Sequence, residues 1–291
     1  MTHRISTVNH LESSLMRESL MDKQVIRRTE GQVFSILPDV TVIQIGGRSI
    51  MDRGRSALLP LLDEIVANQS QHRMIIGVGA GVRSRHIFSV GLDLGLPTGA
   101  LAALSAKDSA QNAYMVSCLL ARHGFVYLEA PFVVQLLPAM LAAARGAVFN
   151  GIPPYSLWEH PPLEGKLPPH GSDAGSYLVG EVFGARDVIF LKDVDGLYTA
   201  DPHSDSKAEL IPEIGARELI DRKLATLPVE PVVLELLMRA KLMKQIRIVN
   251  GLSAGNLTRA LAGEPVGTVI RQQLIAKEGK SLKMHRELQS H

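Results

Sequence analysis

The chain has 291 residues and a mass of 31.6 kDa, enough to bury one large core or two smaller ones. With 46% hydrophobic residues and 25 glycines it fits a soluble α/β protein and excludes extended disorder. A net charge of +2 is too small to require a nucleic-acid partner, even at a sequence pI of about 8.7.

One cysteine, Cys118, lies in an apolar helical pattern with Met115, Val116, Leu119 and Leu120, and reads as a buried small residue in preference to a nucleophile. A lone cysteine permits no internal disulfide, which suits a cytoplasmic protein. The N-terminus carries scattered charges in place of a signal segment, and no apolar run reaches the length of a membrane span.

Residues 1–32 are mixed and polar and read as an N-terminal arm, either packed on a neighbouring subunit or frayed. A domain begins at residue 33. The β-branched run Val40–Ile45 predicts a strand, with Gly46 and Gly47 at its carboxyl end. Two bare residues there let a backbone approach a phosphate, or simply make a tight turn. Leu58, Leu62, Ile65 and Val66 predict a helix behind Ser56, with Pro60 in its first turn. Arg73–Val78 predicts a second strand, which runs into Gly79-Ala80-Gly81 and a helix opening with Arg83, Arg85 and His86. Glycine N–H groups and guanidinium forks together make an anion site. The dinucleotide fingerprint is incomplete and the Gly-Lys-Ser/Thr of a P-loop is missing, so neither a Rossmann dehydrogenase nor a P-loop protein is expected.

Asp108 to Gln111 has the spacing of a capping box ahead of a helix that runs to His123. Phe125–Leu128 predicts a strand with Glu129 at its end, Val133–Ala144 a helix, and Ala147–Asn150 another strand. Residues 153–170 hold six prolines, Trp158, His160 and His170. Such a stretch is a stiff, defined loop, and its histidines by themselves read as solvated surface groups.

In the next stretch Ser172 or Asp173 can cap a helix on which Leu178 shares a face with Val182, and Val179 with Phe183. Gly184 suits the left-handed residue that ends it. Asp187–Leu191 is a continuous apolar run, as in a parallel strand covered on both sides. Ligands of such sheets bind beyond the carboxyl ends of the strands, where Lys192, Asp193, Asp195 and Asp201 gather. A short helix near Ala216–Leu219, a helical face of Val232, Leu236, Leu237 and Ala240, and a strand Gln245–Asn250 follow. A helix capped by Asn256 and a last strand, Val266–Ile270, complete the domain at residue 271, and residues 272–291 read as a basic, mobile tail.

Four motifs then meet in one pattern: Ile45-Gly46-Gly47, Gly77-Val-Gly79-Ala80-Gly81, Ser172-Asp173-Ala-Gly, and the long Lys192-Asp193-Val-Asp195-Gly196-Leu-Tyr198-Thr-Ala-Asp201-Pro202. In this order and spacing they resemble the amino acid kinase family, uridylate kinases in particular, over residues 36 to 271. Within it the chain is similar to the molybdenum storage proteins through Ile45–Arg48, Met51–Gly54, Gly79–His86, Ser89–Pro97, Pro153–Tyr155 and Asn250–Leu252, and most like their beta-type subunits through the length of the proline loop and Asn256–Glu264.

The resemblance implies a three-layer αβα sandwich with a mainly parallel central sheet. It implies Mg-ATP, with Lys192, Asp193, Asp195 and Gly196 along the nucleotide and Tyr198, Asp201 and Pro202 near base and ribose. By the same resemblance Gly46, Gly47, Gly79, Ala80 and Gly81 face phosphate or oxyanion, and Asp173 orients Lys192, although a plain helix cap also explains Asp173. Arg83, Arg85 and His86 become anion or acceptor contacts, and Glu129, His160 and His170 candidate metal-cluster ligands. The implied function is ATP-dependent loading of molybdate or tungstate, condensed as polyoxometalate inside a hollow hetero-oligomer, a hexameric cage shared with a homologous alpha-type subunit.

One departure bears on activity. Kinases of this family carry a lysine two residues before the first glycine pair, where its charge steadies the transferring phosphoryl, and here that position is Gln44. An amide donates a hydrogen bond but neutralises no developing charge, so ATP hydrolysis or phosphotransfer is weakened. The competing readings are a uridylate kinase-like phosphotransferase and a non-catalytic nucleotide-binding scaffold subunit.

Overall fold

Aliphatic runs buried on both sides build parallel strands. The computed structural model describes residues 33–152, 167–168, 170–200, 205, 207–224 and 226–273. The expected arm, the proline-rich loop with His160, Asp201 with Pro202, and the tail beyond residue 273 lie outside them. The chain divides into two units, Met1–Phe34 and Ser35–His291, and everything below concerns the second.

Its strands are β1 (Val40–Ile45), β2 (Arg73–Val78), β3 (Phe125–Leu128), β4 (Gly146–Asn150), β5 (Asp187–Lys192), β6 (Leu197–Tyr198), β7 (Leu210–Ile211), β8 (Glu213–Gly215), β9 (Gln245–Asn250) and β10 (Thr268–Arg271). The helices are α1 (Arg55–Asn68), α2 (Val82–Asp93), α3 (Thr98–Leu120), α4 (Ala130–Ala143), α5 (Ser172–Phe183), α6 (Ala216–Arg222), α7 (Pro231–Met238) and α8 (Asn256–Leu261). An eight-stranded sheet has the order β3-β4-β2-β1-β5-β9-β10-β8, and β6 pairs with β7 apart from it. In the large sheet β9 and β10 run antiparallel and the other pairings are parallel.

Alternation along the strands sorts the core into two layers. Val40, Val42, Ile75, Phe149, Val188, Phe190 and Ile248 face one side, with Leu137 and Leu141 of α4, Tyr177 of α5 and Val233 and Leu237 of α7. Ile43, Ile45, Met74, Ile76, Val148, Ile189 and Val249 face the other, with Leu58, Leu61, Leu62 and Ile65 of α1, Val116 of α3 and Leu257 of α8. The result is the expected αβα sandwich. Among the described residues no helix is long and apolar enough to cross a membrane.

Several local expectations need correction. Pro60 lies inside α1 and not in its first turn, because the helix starts at Arg55 behind Gly54. Asp108 opens no helix: it is buried mid-way along α3 and accepts from Ser84 Oγ at 3.3 Å. Cys118 is exposed, since α3 turns Ser105, Ser109, Asn112, Ala113 and Val116 inward and leaves Tyr114, Met115 and Leu119 outside. Asn256 does not cap α8, whose cap position is Gly255 in a left-handed conformation.

On α5 the two predicted pairs part. Phe183 is buried with Asp173, Ala174, Gly175, Ser176, Tyr177 and Gly180, while Val182 is exposed and lines, with Leu178, Val179 and Val134 of α4, a surface cavity of about 100 Å³. Small residues let the helix lie close to the sheet, and a Cβ at Gly180 would come within 2.5 Å of Val188 Cγ2. Gly184 does end α5 in a left-handed conformation, φ +60°.

Glu181 ties α5 to the segment entering β9. Its carboxylate accepts from the backbone N–H groups of Lys241 (2.7 Å), Leu242 (3.2 Å) and Met243 (2.7 Å), while Tyr177 Oη donates to Met243 O. Substituting Glu181→Ala strands these donors, and hydrogen bonds to a charged group are worth about 1.5–3 kcal/mol. The expected outcome is a loss of about 2–4 kcal/mol of stability in urea unfolding followed by circular dichroism, with a smaller loss for Glu181→Gln.

Candidate functional site

At the carboxyl end of the sheet the parallel ladder is continued by glycines. Gly46 N–H donates to Leu191 O (3.1 Å), Gly79 to Ile45 O (2.9 Å), Gly151 to Val78 O (3.2 Å) and Gly251 to Lys192 O (2.8 Å). Each chain then turns sharply out of the sheet. The first two turns press together, so that a Cβ on Gly47 would lie 2.2 Å from Gly81 N and one on Gly79 2.6 Å from Gly47 N. Close backbone approach therefore demands glycine at both positions, whatever the turns bind.

Lys192 ends β5 in the middle of this row. Its Nζ donates to both carboxylate oxygens of Asp173 at 2.8 Å, and the side chains are only 13% and 5% exposed. Sequence reasoning missed the third member, Glu230. Its carboxylate accepts from Gly171 N–H (2.7 Å), Asp173 N–H (3.1 Å) and Ala174 N–H (3.1 Å), and its own N–H donates to Asp173 Oδ2 at 3.2 Å. Glu230, and neither Ser172 nor Asp173, caps α5, which leaves Asp173 free to hold Lys192. The available signal was Pro231, since a proline at the first position of a helix marks the residue before it as a cap position. Its long-range role had no signal. Burial, and then the Asp173 carboxylate, push Glu230 up to about 7, against the three N–H donors that favour its charged form.

Gln44 points into the closed core between β1 and α5. It is fully buried, with Nε2 donating to Ile45 O at 3.1 Å and Oε1 accepting from Ser176 Oγ. The slot exists because Gly77 and Gly151 leave it open: a Cβ at either would come within 2.3 or 2.6 Å of Gln44 Oε1.

Beyond Lys192, Asp193 pairs with Arg53 at 2.7 Å, Asp195 accepts from Asn250 Nδ2 at 2.8 Å, and Tyr198 Oη reaches Asp195 at 3.4 Å. Gly196, at φ +152°, packs where a Cβ would strike Thr268 Oγ1. Arg53 and Asn250 join this loop from remote parts of the chain.

The second glycine turn holds a carboxylate of the chain itself. Val82 N–H, the first of α2, donates to Asp52 Oδ2 at 2.7 Å. Arg83 donates to Gln111 Oε1 and Asn112 Oδ1 of α3, while Arg85 and His86 are exposed along α2. Glu129 is exposed at the end of edge strand β3 and His170 stands just before α5. Among the described residues no group of three or more His, Cys, Asp or Glu is placed to hold a metal ion.

Residues 39–250 match the amino acid kinase family. The molybdenum storage protein subunit beta of Azotobacter vinelandii is 47% identical over 261 residues, covering 89% of this chain and 96% of that protein. A uridylate kinase of Hyperthermus butylicus is 28% identical over 206 residues, 68% of this chain and 83% of its own. The crystal structure of uridylate kinase from Archaeoglobus fulgidus matches with a TM-score of 0.61 at 22% identity, over 79% of this chain and 99% of that one, a likeness of fold.

The raised Glu230 has a measurable sign. A carboxyl that ordinarily titrates at 4.5 and is held near 7 in the folded chain contributes stability that is complete below about pH 4.5 and lost as the pH rises through 7. Thermal melts between pH 5 and pH 8.5 should therefore show a declining midpoint, and Glu230→Gln should flatten that decline.

Proposed function

The chain belongs to the amino acid kinase family, and on that premise we propose that it is a beta-type molybdenum storage subunit that binds Mg-ATP and helps deposit molybdate or tungstate as polyoxometalate clusters. The observation that carries this reading is 47% identity, sustained over 89% of the chain, with a protein named for that role. A homologous alpha-type subunit completes a hollow, cytoplasmic hetero-oligomer in the same proposal.

The residues fit such a nucleotide. Lys192 offers a buried ammonium held in place by Asp173, the bare turns at Gly46 and Gly47 lie beside it, and Asp193 and Asp195 open the loop that would run along the ligand toward Tyr198, Asp201 and Pro202. Magnesium, when bound, would offset phosphate charge and suits the carboxylate oxygens of that loop.

Acceptor-directed phosphotransfer is not favoured. Gln44 stands at the position of the family lysine, and both ends of its amide are engaged inside the core, so β1 brings no cation to a transferring phosphoryl group. The same observation supports a division of labour in which this chain binds nucleotide as a scaffold beside a hydrolytically competent partner.

Protein purified from molybdate-grown cells should carry molybdenum or tungsten by inductively coupled plasma mass spectrometry, and a metal-free product would overturn the storage reading. Isothermal titration with MgATP should give saturable binding that Lys192→Ala weakens at least tenfold, on the order of 1.4 kcal/mol. Added uridylate should release no ADP, and uridylate-dependent turnover would return the chain to the kinases.

A further inference from the structure

Helix N-termini that follow glycine turns attract anions, because their first N–H groups have no partner within the helix and the aligned peptide dipoles favour negative charge. On α2 that position is already taken by the chain itself. Asp52 lies in a 3₁₀ turn, Met51–Arg53, behind the first glycine pair, and its Oδ2 accepts from Val82 N–H at 2.7 Å.

The carboxylate is seated by several independent contacts. Asp52 N–H donates to Gly47 O at 2.9 Å, and the N–H groups of Ile50 and Met51 both donate to Gly46 O at 3.1 Å, so the acid is carried on the same turn that packs against Gly79 to Gly81. Gly81 has φ +79°, and a Cβ there would come within 2.4 Å of Asp52 Oδ1 and 2.7 Å of Oδ2, so the carboxylate rests on bare backbone. On the opposite side Asn112 Nδ2 donates to Gly79 O (2.7 Å) and Ala80 O (3.0 Å), which fixes the turn from α3. Arg83 donates to Gln111 and to the same Asn112, from the side of α3.

We infer that Asp52 is a specificity-determining residue: its carboxylate acts as a resident anion on the Gly79–Gly81 turn and excludes phosphate monoesters and free oxyanions from the α2 N-terminus. An incoming phosphate would have to displace one negative charge from that N–H and then lie beside it, and both steps oppose binding. The fold thereby keeps its second glycine turn closed to an acceptor, independently of Gln44 and of whether nucleotide binds at Lys192.

The test uses the full chain, with inorganic phosphate and uridylate as probes at fixed ionic strength. Asp52→Asn retains a cap for α2 but removes the charge, and Asp52→Ala vacates the position. Isothermal titration should find that both variants bind phosphate at least tenfold more tightly than the wild type. Asp52→Ala combined with Val82→Pro locates the gain, because proline is tolerated at the first helical position and deletes the N–H in question. The double variant should lose the acquired binding. Wild-type protein that binds phosphate as tightly as Asp52→Asn overturns the inference, as does a gain in Asp52→Ala that survives Val82→Pro. Should Asp52→Ala fail to fold, the folded Asp52→Asn protein decides alone, and no gain there is a refutation.

Discussion

Two carboxylates and one ammonium buried at the meeting of β5, α5 and α7 set the terms for the rest of this site. A pair of acids beside a single lysine is unfavourable in a poorly solvated position unless N–H groups supply the missing positive charge. Here they offset part of that cost: Glu230 takes three backbone donors at the start of α5, and Asp173 takes Lys192 and the Glu230 N–H. Satisfying these charges joins residues 173, 192 and 230 whatever lies between them, and it orients the Lys192 ammonium at the carboxyl end of the sheet. Removing Lys192 would leave Asp173 an uncompensated buried charge, a loss of about 3–5 kcal/mol in comparable pairs.

Around this cluster the backbone does most of the shaping. Glycines 46, 79, 151 and 251 each extend a parallel ladder by one hydrogen bond before the chain leaves the sheet. The turns at Gly46–Gly47 and Gly79–Gly81 then interlock at distances no side chain would permit. Their chemistry nevertheless differs. The first lies beside the lysine of β5, and the second carries a carboxylate from its neighbour, so two turns of like sequence present opposite faces to an incoming anion.

The strands were legible because a both-sides-buried strand is written as a short apolar run, as in Val188–Leu191 and in the β-branched Val40–Ile45. Helix faces were less so. On α3 the side against the sheet mixes Ser105, Ser109, Asn112 and Ala113 with Leu101, Val116 and Leu120, while Tyr114, Met115 and Leu119 point outward, so the apolar pattern that placed Cys118 in the core indicated the wrong side there. Lys192 and Asp173 could be paired through resemblance. Glu230 and Asp52 could not, because each acts on backbone N–H groups far away in sequence, 57 and 30 residues respectively for the bonds to Asp173 and Val82, and such a partner leaves no spacing to read. The capping box at Asp108 failed for a related reason: its acid is needed by Ser84 in the interior of a longer helix.

The outward turn of Cys118 has a practical side. It is the one cysteine of the sequence, and it sits near the end of α3 that leads into β3, whereas the glycine turns lie where the strands finish. A maleimide dye attached there marks the molecule once, at a defined point remote from Lys192. Fluorescence anisotropy of that dye gives a tumbling time, and hence the mass of the assembly, in the same cuvette in which nucleotide or molybdate is added.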